Sequence, residues 1–449
     1  MTQKQANIAT LFIGALILMF FALYNGAPMI SGDTEIYLKS AFEGVAAAER
    51  PIFYGLFVRF TSLGLSIWLT IFTQALIVSF LLHKLIKHFI PDIKLRHEIA
   101  LILFISLGTI SSWYVGSLMP DIFTPILGLS LFCLLFCKNN FYHNLVLTSI
   151  VLLATLVHFS HYLILTIFVT LLLMLIVFNT KYRKLWLKKW ILTATVCIVS
   201  WLSLMTSNAM ANRGFVASSS SNVFLMGKLC ESGVLQTYLE KACPVYNYKI
   251  CHFKDSLPAV AWEFVWDHRY NPVNDSLGWE ANKIEYNAIM KEIISRPKYL
   301  LFLFYKSIEA TARQAILINI DEGDERPWIK YDETDPVFKE LKKDFPHEFN
   351  LFKSARQNTK ILNYVFYDEV YVIVFCISLI MLLFIVNDAQ WKMLVPYLIF
   401  ITLYVCLNAF VTATFGNVLS RLNSRNVWIL PMFNIIILYY SFNLKNKTK

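Results

Sequence analysis

Charge is scarce in this sequence. Of its 449 residues, 16% are Asp, Glu, Lys or Arg and 57% are hydrophobic. Mean hydropathy is +0.54. A soluble domain of this length could not keep so much apolar surface from water, which excludes an ordinary soluble enzyme and predicts a polytopic membrane protein. Signature motifs are missing too. There is no G-x-G-x-x-G, Walker A, H-E-x-x-H or G-x-S-x-G, so chemistry driven by ATP or a nicotinamide is unsupported. The absence of C-x-x-C argues against a zinc or thioredoxin-type site. No internal repeat and no low-complexity tract is present. Acids are outnumbered, but the net charge of +10 falls mostly in short loops. It reads as a topology signal and not as a nucleic-acid footprint.

What is present is a series of apolar windows of spanning length. They lie near 8–24, 64–83, 98–115, 121–137, 144–157, 162–178, 190–207, 369–386, 391–411 and 427–442. The expected fold is an all-α polytopic membrane protein of about ten transmembrane helices. The pair at 144–157 and 162–178, parted only by His158 to His161, also reads as one long broken helix. The start, MTQKQANIAT, has one Lys and no small-residue cleavage site after the first apolar run, which predicts a retained helix and not a cleaved signal peptide.

Orientation follows from the basic loops. Lys84, Lys87, Lys94 and Arg96 occupy one, Lys181, Arg183, Lys184, Lys188 and Lys189 a second, and Lys445, Lys447 and Lys449 the tail. All fall on the side of the N-terminus. Both termini are therefore expected in the cytoplasm, with the chain in the inner (plasma) membrane. The expected division is an N-terminal transmembrane module (1–207), an extracytoplasmic α-rich domain between spans seven and eight (208–368), and a C-terminal transmembrane module (369–449). Within the middle segment, charges Lys306, Glu309 and Arg313 recur at helical spacing through an apolar run, 296–320. This predicts an amphipathic helix in the outer interface, and 34–47 reads as a shorter one. Trp262, Trp266, Tyr270 and Trp279 suit sugar stacking or the core of a small domain.

Of eight cysteines, Cys133, Cys137, Cys197, Cys376 and Cys406 lie in apolar runs and read as packing residues. Cys230, Cys243 and Cys251 share the outer segment. The bridge that closes the tightest loop, Cys243–Cys251, is favoured in an oxidising compartment; three reduced thiols are the other reading.

This topology gathers unusual polar residues on one face. Asp33, in Ser31-Gly32-Asp33-Thr34-Glu35, lies just past the first span. Burial near the headgroups raises a carboxylate's pKa and suits a general base, with Glu35 beside it. The competing role for Asp33 is a helix N-cap. Asp121 follows Pro120 at the start of a span. It reads as a ligand for a divalent cation, Mg or Mn, or again as a cap. Arg421 and Arg425 stand four apart and point the same way on a helix. They suit a bidentate phosphate clamp; the alternative is snorkelling. His158 and His161 suit a phosphate or a metal, against satisfied buried histidines. Arg50 and Arg213 are further outer candidates for substrate binding.

With Gly32-Asp33-Thr34-Glu35 in a long first outer loop, Pro120-Asp121 in the next, a large outer domain and a late arginine pair, the chain resembles the GT-C class of membrane glycosyltransferases. Two departures stand out: the soluble domain lies between spans and not at the C-terminus, and the first loop has no clear acidic pair. The chain also resembles uncharacterised bacterial inner-membrane proteins with M-P-D, H-x-S-H-like and S-R-x-x-S-R-x-x-W segments (here Met119–Asp121, His158–His161 and Ser420–Trp428). The GT-C resemblance implies transfer of a sugar from a polyprenyl-phosphate donor to an envelope glycan or lipid acceptor. In that scheme Asp33 is the base, the arginines hold the leaving phosphate, and Asp121 binds any metal. The runner-up is an envelope polysaccharide polymerase or ligase. A lipid or solute transporter is disfavoured because the middles of the spans are apolar. A non-enzymatic envelope scaffold is the remaining reading.

Overall fold

A computed structural model describes residues 2–266, 282–320, 333–359, 364–386 and 388–447. It is 79% helix, with no strand among the described residues. Tyr270, Trp279 and Lys449 lie outside them.

Among the described residues, six helices are long and apolar enough to cross a membrane: Ile67–Phe89, Phe159–Phe178, Trp186–Met210, Tyr364–Ile385, Asp388–Phe415 and Ser420–Leu444. Together they mark a multi-pass membrane protein. The other four expected spans are shorter or interrupted. The first breaks at Met19 into α1 (Gln3–Leu18) and α2 (Phe20–Asn25), which ends on left-handed Gly26. The run 98–115 divides into a helix Leu95–Gly108 and a turn Ser111–Val115. The run at 121 opens with a 3₁₀ turn, Pro120–Ile122, before Phe123–Phe136. Phe141–Leu156 has 16 residues and is a helix of its own, separate from the one that starts after His158. Mean apolarity could not register the break at Met19, which is itself apolar.

One end of the bundle carries the basic loops. There the start of α1 meets Asp92 and Lys94, Lys189 donates to the Leu135 carbonyl, and His97 Nδ1 lies 2.9 Å from the Tyr439 hydroxyl. The opposite end is built by α3 (Thr34–Phe42), α4 (Phe53–Ser62), α5 (Ile67–Phe89) and the polar helix Ser420–Val427. Gly55 lets α4 approach α3: a Cβ there would sit 2.5 Å from the Ser40 Cβ and 2.9 Å from the Ala41 nitrogen.

The described residues of segment 208–368 divide between two cores. Val223, Met226, Tyr238, Phe264, Tyr286 and Ile289 are buried in a small core of their own. Phe338, Leu341, Phe345 and Phe352 instead join the core of the bundle. Trp262 and Trp266 lie outside the small core, and Trp266 is exposed. A disulfide joins Cys243 to Cys251, while Cys230 is buried with its thiol on the Pro258 carbonyl. Of the five cysteines expected to pack, Cys376 and Cys406 are exposed. The amphipathic run forms a helix over Pro297–Ile316 that leans along Asp388–Phe415, with Leu301, Phe304 and Tyr305 exposed.

Segment 333–359 straps the first loop and α5 in place. The Gln357 amide accepts from Ile30 N (3.1 Å) and donates to Ile30 O (2.6 Å), as a paired strand would. The buried Glu348 carboxylate accepts from Ile67 N at 2.9 Å and from the Ser66 hydroxyl, capping α5 from far along the chain. This satisfies donors that a helix start leaves open. Glu348→Ala should lower stability by roughly 1–3 kcal/mol, because a buried donor loses its partner. The change is measured as a shifted unfolding midpoint in detergent; Glu348→Gln, which still accepts, should lose less.

Candidate functional site

The loop after α3 returns Arg50 to the start of that helix. Its guanidinium donates to both oxygens of Asp33, at 3.1 and 3.0 Å. Arg421 reaches the same carboxylate at 3.5 Å. Asp33 stands at the N-cap position of α3 but its side chain makes no capping bond. Thr34 serves the turn instead, accepting from Ser31 N at 3.0 Å. The capping alternative therefore fails for Asp33, whose oxygens are turned to arginine.

One turn along the polar helix from Arg421, Arg425 donates to Asp121 at 2.9 Å and to the Ser160 hydroxyl at 3.3 Å. Arg425 is fully buried and the Asp121 side chain 5% exposed. The Asp33 side chain is 23% exposed, Arg50 17% and Arg421 31%. The expected clamp of Arg421 with Arg425 is thus revised. Although four apart, they meet different acids at different depths, and the accessible pair is Arg421 with Arg50.

The expected rise in the pKa of Asp33 is also overturned. Burial does push it up, but the charges of Arg50 and Arg421 and their hydrogen bonds outweigh this and hold the carboxyl below its ordinary value. Burial pushes His158 well below the usual histidine range, and Arg425 adds to the effect. Its Nδ1 accepts from Ser160 N at 3.1 Å, which caps the following helix and leaves the proton of the neutral ring on Nε2. His161 is a satisfied core residue. Its Nδ1 is 2.6 Å from the Ala154 carbonyl and its Nε2 is 2.7 Å from the Thr124 hydroxyl.

Other expected residues lie elsewhere. Glu35 pairs with Lys39 one turn on, and Arg213 donates to the Ala46 carbonyl and so tethers the Arg50 loop. Sequence reasoning missed Ser160 as the link between Arg425 and His158, and Tyr37, whose electrostatic neighbours include Arg50, Asp33, Asp121 and Arg421. Spacing could have found Tyr37, which follows Asp33 by one helical turn.

Among the described residues five charged groups thus converge, three guanidiniums and two carboxylates. Two guanidiniums that keep some exposure at one position suit an anion. The divalent cation suggested for Asp121 does not suit this donor set. Asp121 is engaged by Arg425, Asp33 is shared by two guanidiniums, and no three His, Cys, Asp or Glu side chains gather as ligands among the described residues. Comparisons with protein-family models, curated proteins and solved structures give no match, so the site stands on its own geometry.

Two outcomes are expected. Asp121→Leu or Arg425→Met alone leaves a buried charge unpaired and should cost about 3–5 kcal/mol, whereas the double variant should recover much of that loss. Unfolding of the four proteins in detergent measures the coupling; additive losses would mean the pair carries no special weight. The second outcome concerns pH. His158 is held neutral when folded, so between about pH 6.5 and its lowered folded pKa the unfolded chain binds more protons. Stability therefore falls as pH drops from 7 to 5. His158→Asn, which keeps a capping oxygen, should make that slope shallower.

Proposed function

We propose that the protein is a membrane glycosyltransferase which moves a sugar from a polyprenyl-phosphate donor to an envelope glycan or lipid acceptor on the extracytoplasmic face. The inner (plasma) membrane, with both termini in the cytoplasm, is the placement that goes with this reading. The observation that carries it is the sharing of Asp33 between Arg50 and the more exposed Arg421. A carboxylate and two guanidiniums at one half-open position offer a base beside a phosphate site.

In the reaction, the acceptor oxygen bonds to the anomeric carbon as the bond from that carbon to the phosphate oxygen breaks. The acceptor proton passes to Asp33, and the leaving phosphate takes its charge to Arg421 and to the free N–H of His158. Held by both arginines, Asp33 is a poor base at rest. Loss of Arg421 to the phosphate would remove one of the two charges that depress its pKa. Phosphate stabilisation is the larger contribution, and base catalysis adds roughly 10²–10⁴ in rate. Arg425 and Asp121 act as positioning residues, since both are buried.

Polyprenyl phosphate released from a panel of polyprenyl-phosphate sugars by the purified chain is the direct assay. Asp33→Asn should insert and fold but lose transfer by at least the roughly 10²-fold share of a general base. Arg421→Gln should weaken donor binding. Undiminished release by Asp33→Asn, with an active parent, would end the role given to that carboxylate.

A further inference from the structure

A second polar site lies at the other end of the bundle and owes nothing to the first. Glu98, in the helix Leu95–Gly108, is 2% exposed. An ionisable group so deep in an apolar bundle is a candidate for function. Its Oε1 lies 2.6 Å from His83 Nδ1 on α5. Its Oε2 has only a long contact, 3.5 Å, from the Thr10 hydroxyl on α1. Both Glu98 and Thr10 line a cavity of about 180 Å³ between α1 and the turn that joins α5 to the next helix. Gln3, Asn7, Lys87, Asp92 and Lys94 supply its other polar lining.

The lining is graded by depth. Glu98 and Thr10 are buried at the floor, while Gln3, Asp92 and Lys94 are exposed at the mouth. Lys87 Nζ donates to the Pro91 and Ile93 carbonyls at 3.3 and 3.2 Å, so one of its three donors is left for a ligand. A carboxylate below and, above it, two lysines against the single carboxylate of Asp92 suit a ligand with a cation at its tip and an anion a few bonds behind. The volume is below that of sites for drug-sized ligands, which begin near roughly 300 Å³. The mouth opens at the end of the bundle that bears the basic loops, where lipid headgroups lie.

We infer that this cavity is a binding site for the headgroup of phosphatidylethanolamine, with the ammonium on Glu98 and Thr10 and the phosphate on Lys87 and Lys94. A primary ammonium donates hydrogen bonds to the Glu98 carboxylate. The trimethylammonium of phosphatidylcholine has no N–H to donate and is wider. Phosphatidylglycerol brings no cation to the floor.

The test uses the full chain, stripped of lipid in an uncharged detergent. It is titrated with short-chain phosphatidylethanolamine, phosphatidylcholine, phosphatidylglycerol and free phosphoethanolamine, and the unfolding midpoint is followed. Phosphatidylethanolamine should act at about tenfold lower concentration than phosphatidylcholine, as loss of a charge-assisted hydrogen bond implies. Glu98→Gln should abolish that preference. Because Glu98 is buried, Lys94→Gln at the exposed mouth gives a second variant, which should weaken phosphatidylethanolamine without disturbing the fold. Equal action of phosphatidylethanolamine and phosphatidylcholine, or a preference for phosphatidylglycerol, would overturn the proposal. Equal action of free phosphoethanolamine would overturn the lipid as its source.

Discussion

The buried pair of Arg425 and Asp121 is the constraint on which the rest of this end of the protein depends. A guanidinium keeps its charge when buried, so one with no exposed surface destabilises an apolar bundle unless it has a partner. Asp121 supplies it, and Ser160 takes a second donor. The short helix Ser420–Val427 is thereby held at one depth. Its neighbours follow: Ser424 meets the Tyr114 hydroxyl at 2.5 Å, and Asn423 donates to the Ala315 and Leu317 carbonyls. With the helix pinned, Arg421 one turn back reaches Asp33. The more open half of the site is thus placed by the closed half.

The two acid–arginine clusters divide the work. Around Asp121 water is excluded, so the pair is rigid, costly to break and poorly placed to receive a ligand. Around Asp33 both partners keep some exposure, and the contacts differ: Arg50 binds through two hydrogen bonds, Arg421 through one longer contact. The weaker contact belongs to the more exposed arginine. A ligand phosphate competing for guanidinium would meet Arg421 first and would leave Arg50 to keep Asp33 oriented.

Much of this was legible in the sequence, and the rest fails for identifiable reasons. Asp33, Arg50, Asp121, Arg421 and Arg425 stood out because charge at the edge of an apolar run is expensive and rare. Their convergence could be expected but not their pairing, since contacts across hundreds of residues leave no local pattern. The i, i+4 spacing put Arg421 and Arg425 on one face correctly, yet a face has depth, and depth separated them. Burial alone argued for a raised pKa at Asp33; two nearby cations reversed it. Of the ten expected spans, the interruption at Met19 escaped because nothing polar marks it, and that at Thr109–Ile110 because a few hydroxyls do not end an apolar window. Segment 336–355 looked like part of a separate domain because it is polar overall, whereas its Phe and Leu side chains belong to the bundle core.

The strap formed by Glu348 and Gln357, and the arginines beyond it, have a consequence for how the chain is made. Asp33 and Asp121 emerge from the ribosome hundreds of residues before Arg421 and Arg425. Until then Asp121 lacks its counter-ion; the distant cap of α5 and the amide that pairs with Ile30 come earlier, with Glu348 and Gln357. The ion pairs at this end of the bundle are therefore completed only by the last helix. A chain that ended before Arg425 would leave Asp121 without its counter-ion, and one that ended before Glu348 would leave α5 without its distant cap as well.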